Sequence, residues 1–159
     1  MVQRCQLFSL ASVEHWTGLR QHFHRYLAQE LVATRTLRIG LAAENVFEFI
    51  SVAQRWSDFS FHGISQTCPC CDHLTFRSSC GSGTITMEVN RSELLVGYSI
   101  FFEHEDRYEV RIRILKISNG ESDLVMSIAK PRRMPIGYFE NKLSLLNEDL
   151  ERLRQILEG

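Results

Sequence analysis

Cysteine and histidine crowd one short stretch of this chain. Cys68, Cys70, Cys71, Asp72 and His73 stand together as CPCCDH, and Cys80 follows soon after. Thiolate and imidazole are ligands that zinc favours, at about 2.3 and 2.0 Å. Finger-type sites use C-x2-C and a distant second pair, and here the second contributors are Cys80 and, further off, His62. The four-ligand set that the pattern allows is Cys68, Cys71, His73 and Cys80, spanning a hairpin. The alternative is a cysteine-rich loop in a reducing compartment, exposed and reactive but without metal. A vicinal Cys70–Cys71 disulfide is a rarer arrangement. His15, His22 and His24 decorate an early segment, and His22 and His24 are two apart, which on a helix gives them no shared face and makes a poor metal pair. Zinc at the CPCCDH stretch is the one cofactor the residue types suggest.

The elements that must position these groups begin with composition. The chain has 159 residues, 44% hydrophobic and 23% charged, with a net charge of −1. That length suits one domain with a sizeable core. Basic and acidic residues are balanced and interspersed, so no nucleic-acid footprint is present. No apolar run approaches the roughly 18 residues of a membrane span, and the opening MVQRCQLFSLASVEHW reads as neither signal peptide nor anchor. Five cysteines, an odd number, argue against a disulfide scaffold and for a reducing cytosol, which makes the expected location cytoplasmic.

Periodicity divides the chain. Val13, Trp16, Leu19, Phe23, Leu27 and Leu31 recur at helical spacing over Ser12 to Ala33, with Ser12 as the cap. Thr34 to Leu41 alternates as a half-buried strand, and Ala43 to Trp56 returns to helical spacing through Val46, Phe47, Ile50 and Ala53. Strand-like pieces then run through 61–65, 74–78, 84–90, 94–102, 108–117 and 123–130. Turns are predicted at the GSG of 81–83, the NRSE of 90–93, the EHED of 103–106 and the SNGE of 118–121. One face carries Ile85, Met87 and Val89, then Val96, Tyr98, Ile100 and Phe102, then Tyr108, Val110, Ile112 and Ile114, and finally Leu124, Met126 and Ile128. Pairing Phe102 with Tyr108 keeps those faces together. Glu109, Arg111 and Arg113 belong to the opposite face, wet or paired with carboxylates across the strands. Finally, Phe139, Leu143, Leu146, Leu150, Leu153 and Leu157 make one apolar stripe on a helix over Ile136–Glu158 that starts sharply after Pro135.

Helix, strand, helix, about six antiparallel strands and a long helix is, apart from the first helix, the order of a helix-grip domain. TLRIGLAAENVFEFISVAQRW resembles the opening strand and helix of the SRPBCC superfamily, which includes START domains, pollen-allergen proteins and polyketide cyclases. RYEVRIRILKISNGESDLVMSIAKP followed by MPIGYFENKLSLLNEDLERLRQILEG resembles the last two strands and the helix of uncharacterised bacterial members. The likeness covers roughly Thr36 to Gly159 and contains no catalytic signature. It implies an α+β helix-grip fold: a curved antiparallel sheet of about seven strands around the long C-terminal helix. Residues 1–34 then form a helical extension and 35–159 the helix-grip domain.

That resemblance also implies a hollow between sheet and helix, lined by Met87, Val89, Tyr98, Ile100, Phe102, Tyr108, Val110, Ile112, Met126, Phe139, Leu143 and Leu146. The same residues could instead close up as solid core. An open hollow would bind or carry a small hydrophobic molecule, lipid-like or polyketide-like, with access where Met134 to Tyr138 could move as a gate. A second reading is a cyclase or hydratase acting on a polyketide-like substrate, with His62, Tyr98 and Tyr108 as acid–base candidates outside any recognisable dyad or triad. A third is a protein-interaction module, with the zinc cluster as a structural site. The N-terminal helix either covers the opening or makes a homodimer contact.

Overall fold

A computed structural model describes residues 31–59, 61–70, 73–78, 81–102 and 107–159, and describes the backbone alone at 62, 66, 67, 69, 70 and 73. Strand β1 is Val32–Ile39, helix α1 is Ala43–Ile50, and two 3-10 segments follow at Ala53–Phe59 and Phe61–Gly63. Six more strands come next: β2 Ile64–Cys70, β3 His73–Ser78, β4 Gly81–Asn90, β5 Leu95–Phe102, β6 Tyr108–Ser118 and β7 Glu121–Ala129. Helix α2 spans Ile136–Glu158 and closes the chain. This is the expected α+β helix-grip architecture, a curved seven-stranded antiparallel sheet holding a long C-terminal helix.

The sheet order is β1-β7-β6-β5-β4-β3-β2. Five hairpins account for the run from β2 to β7. The exception is β1, which pairs with β7 along Val32↔Ala129 to Ile39↔Ser122. The α1 and 3-10 segment must therefore cross the concave face to deliver β2 to the far edge. Helix α2 lies against β1 and both 3-10 segments, and it buries Phe139, Leu143, Leu146, Leu150 and Leu153. Strands β6 and β7 alternate strictly between buried and half-buried residues over Tyr108–Ile114 and Glu121–Ala129, as one packed face and one half-wet face require. The Asn119-Gly120 turn joins them through a Ser118↔Glu121 pair, which is the two-residue hairpin that Asn-Gly favours.

Several expectations need correction. The first helix was expected to reach Ala33, but Val32 and Ala33 already belong to β1, because Ala129 and Ile128 offer them ladder partners. The rest of that helix and the EHED turn lie outside the described residues. Helix α1 stops at Ile50 instead of running to Trp56. Ala53, Trp56 and Phe59 are spaced by threes, which suits the three-residue turn of a 3-10 helix, and all three are buried. The Trp56 indole N–H donates to the Ile50 carbonyl at 3.0 Å, satisfying a group that the helix end left open. Phe61 to Gly63 is likewise a 3-10 turn and not strand, with Gly63 at φ 72.

The GSG of 81–83 is no turn but the start of β4. A Cβ on Gly83 would run into the Phe101 carbonyl and stand 2.8 Å from the Phe76 ring, so glycine here permits close packing within the ladder. Register differs too. Tyr108 pairs with Ile100, not Phe102, while Tyr98 faces Val110 and Val96 faces Ile112. The slip is two residues, so every side chain keeps its face. Phe102 and Tyr108 still touch diagonally, edge to face at 6.1 Å. On the opposite face, Glu109, Arg111 and Arg113 are half-buried, and Glu109 pairs with Arg107 at 3.1 Å.

Candidate ligand-binding cavity

Helix α2 does not fill the concave face evenly. At one end Trp56 is fully buried, its ring 5.0 Å from Phe61 and 4.7 Å from Tyr98. That cluster consumes the space over the middle of β5. Toward the other end the helix stands off the sheet and leaves a hollow of about 150 Å³. Strands β5, β6 and β7 contribute Phe102, Tyr108 and Ile128 to its walls, and Gly63 comes from the second 3-10 turn. The helix supplies Phe139, Lys142, Leu143, Leu145, Leu146, Asp149 and Arg152, at the threes and fours that keep residues on one face.

The expected lining divides accordingly. Phe102, Tyr108, Phe139, Leu143 and Leu146 meet around the hollow. Tyr98, Ile100, Val110, Ile112 and Met126 are instead buried in the core cluster that includes Trp56 and Phe61. Met87 packs partly buried against that core, and Val89 is 49% exposed, next to the β4–β5 turn. Neither of them lines the hollow.

Polar groups punctuate the walls. Asp149 is 4% exposed and forms an ion pair with Arg152, whose Nε donates to the Phe59 carbonyl at 3.1 Å. A buried carboxylate must be paired or hydrogen-bonded, because desolvating a lone charge costs several kcal/mol. Lys142 is half-buried at the rim. Its ammonium lies 5.2 Å from the Phe102 ring centre, 5.9 Å from Tyr108 and 5.3 Å from Tyr138. Ring faces are negative, so three of them hold the cation over the opening. Tyr108 donates its hydroxyl to the Met134 sulfur at 3.6 Å. The turn before α2 is braced by Lys130, whose Nζ donates to the Pro131 and Met134 carbonyls at 2.9 and 2.7 Å. Within the expected gate, Met134 is thus buried and tied down, while Ile136 and Tyr138 are exposed.

Sequence reasoning missed Asp149, Arg152 and Lys142 as lining residues. Asp149 did carry a signal, since it interrupts the apolar stripe between Leu146 and Leu150, where a solvated face has no place. Arg152 and Lys142 read as outer-face charges, because only the sheet's curvature brings the edge of the stripe over a hollow. Of the acid–base candidates, Tyr98 is fully buried in the core. Burial first, and the Asp149 charge second, push its hydroxyl well above the usual tyrosine range, so it is a neutral group at pH 7. The backbone of His62 lies in the 3-10 turn and not on a strand.

In the cysteine-rich stretch, β2 and β3 pair Cys68 with Thr75 and Cys70 with His73. Cys68 is exposed, and Thr75 Oγ1 donates to its carbonyl at 3.2 Å. Cys71 and Cys80 lie outside the described residues, as does the side chain of His73. Among the described residues no three potential metal ligands converge, and no helix is long and apolar enough to cross a membrane.

No protein-family model and no curated protein sequence matches this chain. Solved structures do match. An uncharacterised protein from Bacillus thuringiensis superposes with a TM-score of 0.68 at 18% identity, covering 80% of this chain and 99% of its own. A START superfamily protein from Mycobacterium smegmatis gives 0.67 at 13% identity, over 82% and 98% of the two chains. The Zhui aromatase/cyclase from Streptomyces sp. R1128 gives 0.64 at 10% identity, over 82% and 94%. Such low identities speak to architecture and not to activity. The chain therefore shares its helix-grip fold with START-like and aromatase/cyclase structures.

Proposed function

We propose that this protein binds a small hydrophobic molecule in the hollow between α2 and the concave face of the sheet. The observation that carries the proposal is the hollow itself, about 150 Å³ with mostly apolar and aromatic walls and a few polar groups at its edge. A guest that fills it gains roughly 25 cal/mol for each Å² of apolar surface removed from water. A space of about this size matches a single benzene-sized ring. The two tyrosines favour binding over turnover: Tyr98 sits outside the walls, and the Tyr108 hydroxyl donates to Met134.

Benzene is the direct probe. Its addition is expected to raise the thermal midpoint of the wild-type protein and to shift the amide and methyl resonances of Leu143, Leu146 and Ile128. Leu146→Phe adds bulk to the wall and is expected to abolish those shifts. Shifts confined to the convex face, or an unchanged response in the substituted protein, would place the ligand elsewhere and end the proposal.

A further inference from the structure

We propose that residues 12–30 of this chain dock along the exposed edge of α2 marked by Tyr138, Leu145 and Ile156, beside the hollow. The inference goes beyond ligand binding and does not rest on it. The seat comes first. Tyr138, Leu145 and Ile156 are 43%, 55% and 43% exposed, and they stand seven and eleven residues apart on α2. Seven and eleven residues close nearly two and three whole turns, so the three fall on one line along the helix. Single exposed apolar side chains are ordinary, whereas a row of them on one edge is the pattern of a contact surface. The row is separate from the buried stripe of Phe139, Leu143 and Leu146, and its middle member, Leu145, also lines the hollow.

The path of the chain then chooses the occupant. Lys130 donates its backbone N–H to the Leu31 carbonyl at 2.8 Å, and its ammonium holds the Pro131 and Met134 carbonyls just ahead of α2. Leu31 therefore stands beside the turn that leads into α2, where it packs partly buried against the core. The residues before it set out from one end of the row. The way around the first turn of α2 is open among the described residues, since a Cβ on Gly137 would meet nothing within 4 Å and Ile136 is 52% exposed. The sequence supplies a matching surface, because Val13, Trp16, Leu19, Phe23 and Leu27 recur at helical spacing and lead into Leu31. Eighteen positions separate Val13 from Leu31, and eighteen separate Tyr138 from Ile156. At 1.5 Å per residue each row is about 27 Å long. Rows of equal length that start from one end pack antiparallel, with Leu27 toward Tyr138 and Trp16 toward Ile156. Attachment at Leu31 keeps the segment at an effective concentration on the order of millimolar, which favours it over a second copy.

The test reads Trp16 in the full chain by acrylamide quenching. The chain has two tryptophans, and Trp56 is fully buried, so a Trp16→Phe sample supplies the Trp56 background. Wild-type Trp16 is expected to be quenched several-fold less than free tryptophan amide. Leu145→Gln combined with Ile156→Gln, two changes at exposed positions, is expected to raise that quenching toward the free value. Leu19→Gln combined with Phe23→Gln, on the segment itself, should do the same, while Leu115→Gln, at a 39% exposed position on β6, should leave it unchanged. Unaltered Trp56 emission shows that each substituted protein is folded. Wild-type Trp16 as accessible as the free amide would overturn the proposal. Shielding that survives the Leu145 and Ile156 changes would place the segment elsewhere and overturn it too. Shielding lost on about a hundredfold dilution, with a fall in sedimenting mass, would overturn the same-chain assignment in favour of a second copy.

Discussion

Leu146→Ala tests the geometry of the hollow most directly. The Leu146 side chain is 2% exposed and lies on the middle of the α2 stripe. Deleting it removes buried methyl groups and enlarges a space that already exists, since Leu146 borders the hollow. The facing residues, Tyr108 and Ile128, stand on paired strands and cannot follow the receding wall. A leucine-to-alanine change with so little collapse falls in the range of 2.7–5.0 kcal/mol, and about 4 kcal/mol is expected here. In a domain of this size that corresponds to a thermal midpoint lowered by roughly 10 °C. The enlarged space should also change size selectivity. Wild-type protein should prefer benzene to naphthalene, and Leu146→Ala should reverse the order. A saturating naphthyl ligand at about 100 times its Kd should restore about 2.7 kcal/mol of the lost stability. Urea denaturation with each ligand, with calorimetry for the affinities, measures all of these. A loss under about 1 kcal/mol with unchanged ring selectivity would mean that α2 does not present Leu146 to the hollow, and the reasoning would fail.

Three further outcomes follow from other parts of the fold. Trp56→Phe removes the donor to the buried Ile50 carbonyl and leaves that acceptor unmatched, so equilibrium denaturation should show a loss of about 1–3 kcal/mol, plus a smaller loss from the reduced ring. Gly83→Ala forces a methyl into the Phe101 carbonyl and the Phe76 ring. Overpacking of that kind costs about 1–3 kcal/mol, and amide exchange should rise in β4 and β5 before it rises in β6 and β7. Tyr98 makes stability depend on alkaline pH. Its folded-state pKa lies above the unfolded value of about 10, so the folded protein holds a proton that the unfolded chain gives up. Stability should therefore be level below pH 9 and fall above pH 10. Tyr98→Phe should flatten that fall, and an identical alkaline slope in both proteins would refute the assignment.

What the amino-acid sequence determined by itself is whatever depends on neighbours close along the chain. The bounds of α2 were legible because Pro135 starts it and an unbroken stripe from Phe139 to Leu157 keeps one period. The β6–β7 hairpin was legible because Asn119-Gly120 sits between two alternating runs. Local signals failed where a distant contact outweighed them. Gly83 sits in a run with the composition of a turn, yet the approach of Phe76 and Phe101 packs it into strand. The Ala53–Phe59 run fits a helix until the Trp56 indole caps the Ile50 carbonyl and tightens the chain to a 3-10 turn. The hollow depended on tertiary structure altogether. Tyr98 and Phe102 alternate on the same strand face, and only the position of Trp56 makes the first solid core and the second a cavity wall. For the same reason Lys142 and Arg152 read as surface charges in one dimension. Sheet curvature is a sum over seven strands, so no short window of residues reports where the helix will lift away and which side chains will border the gap.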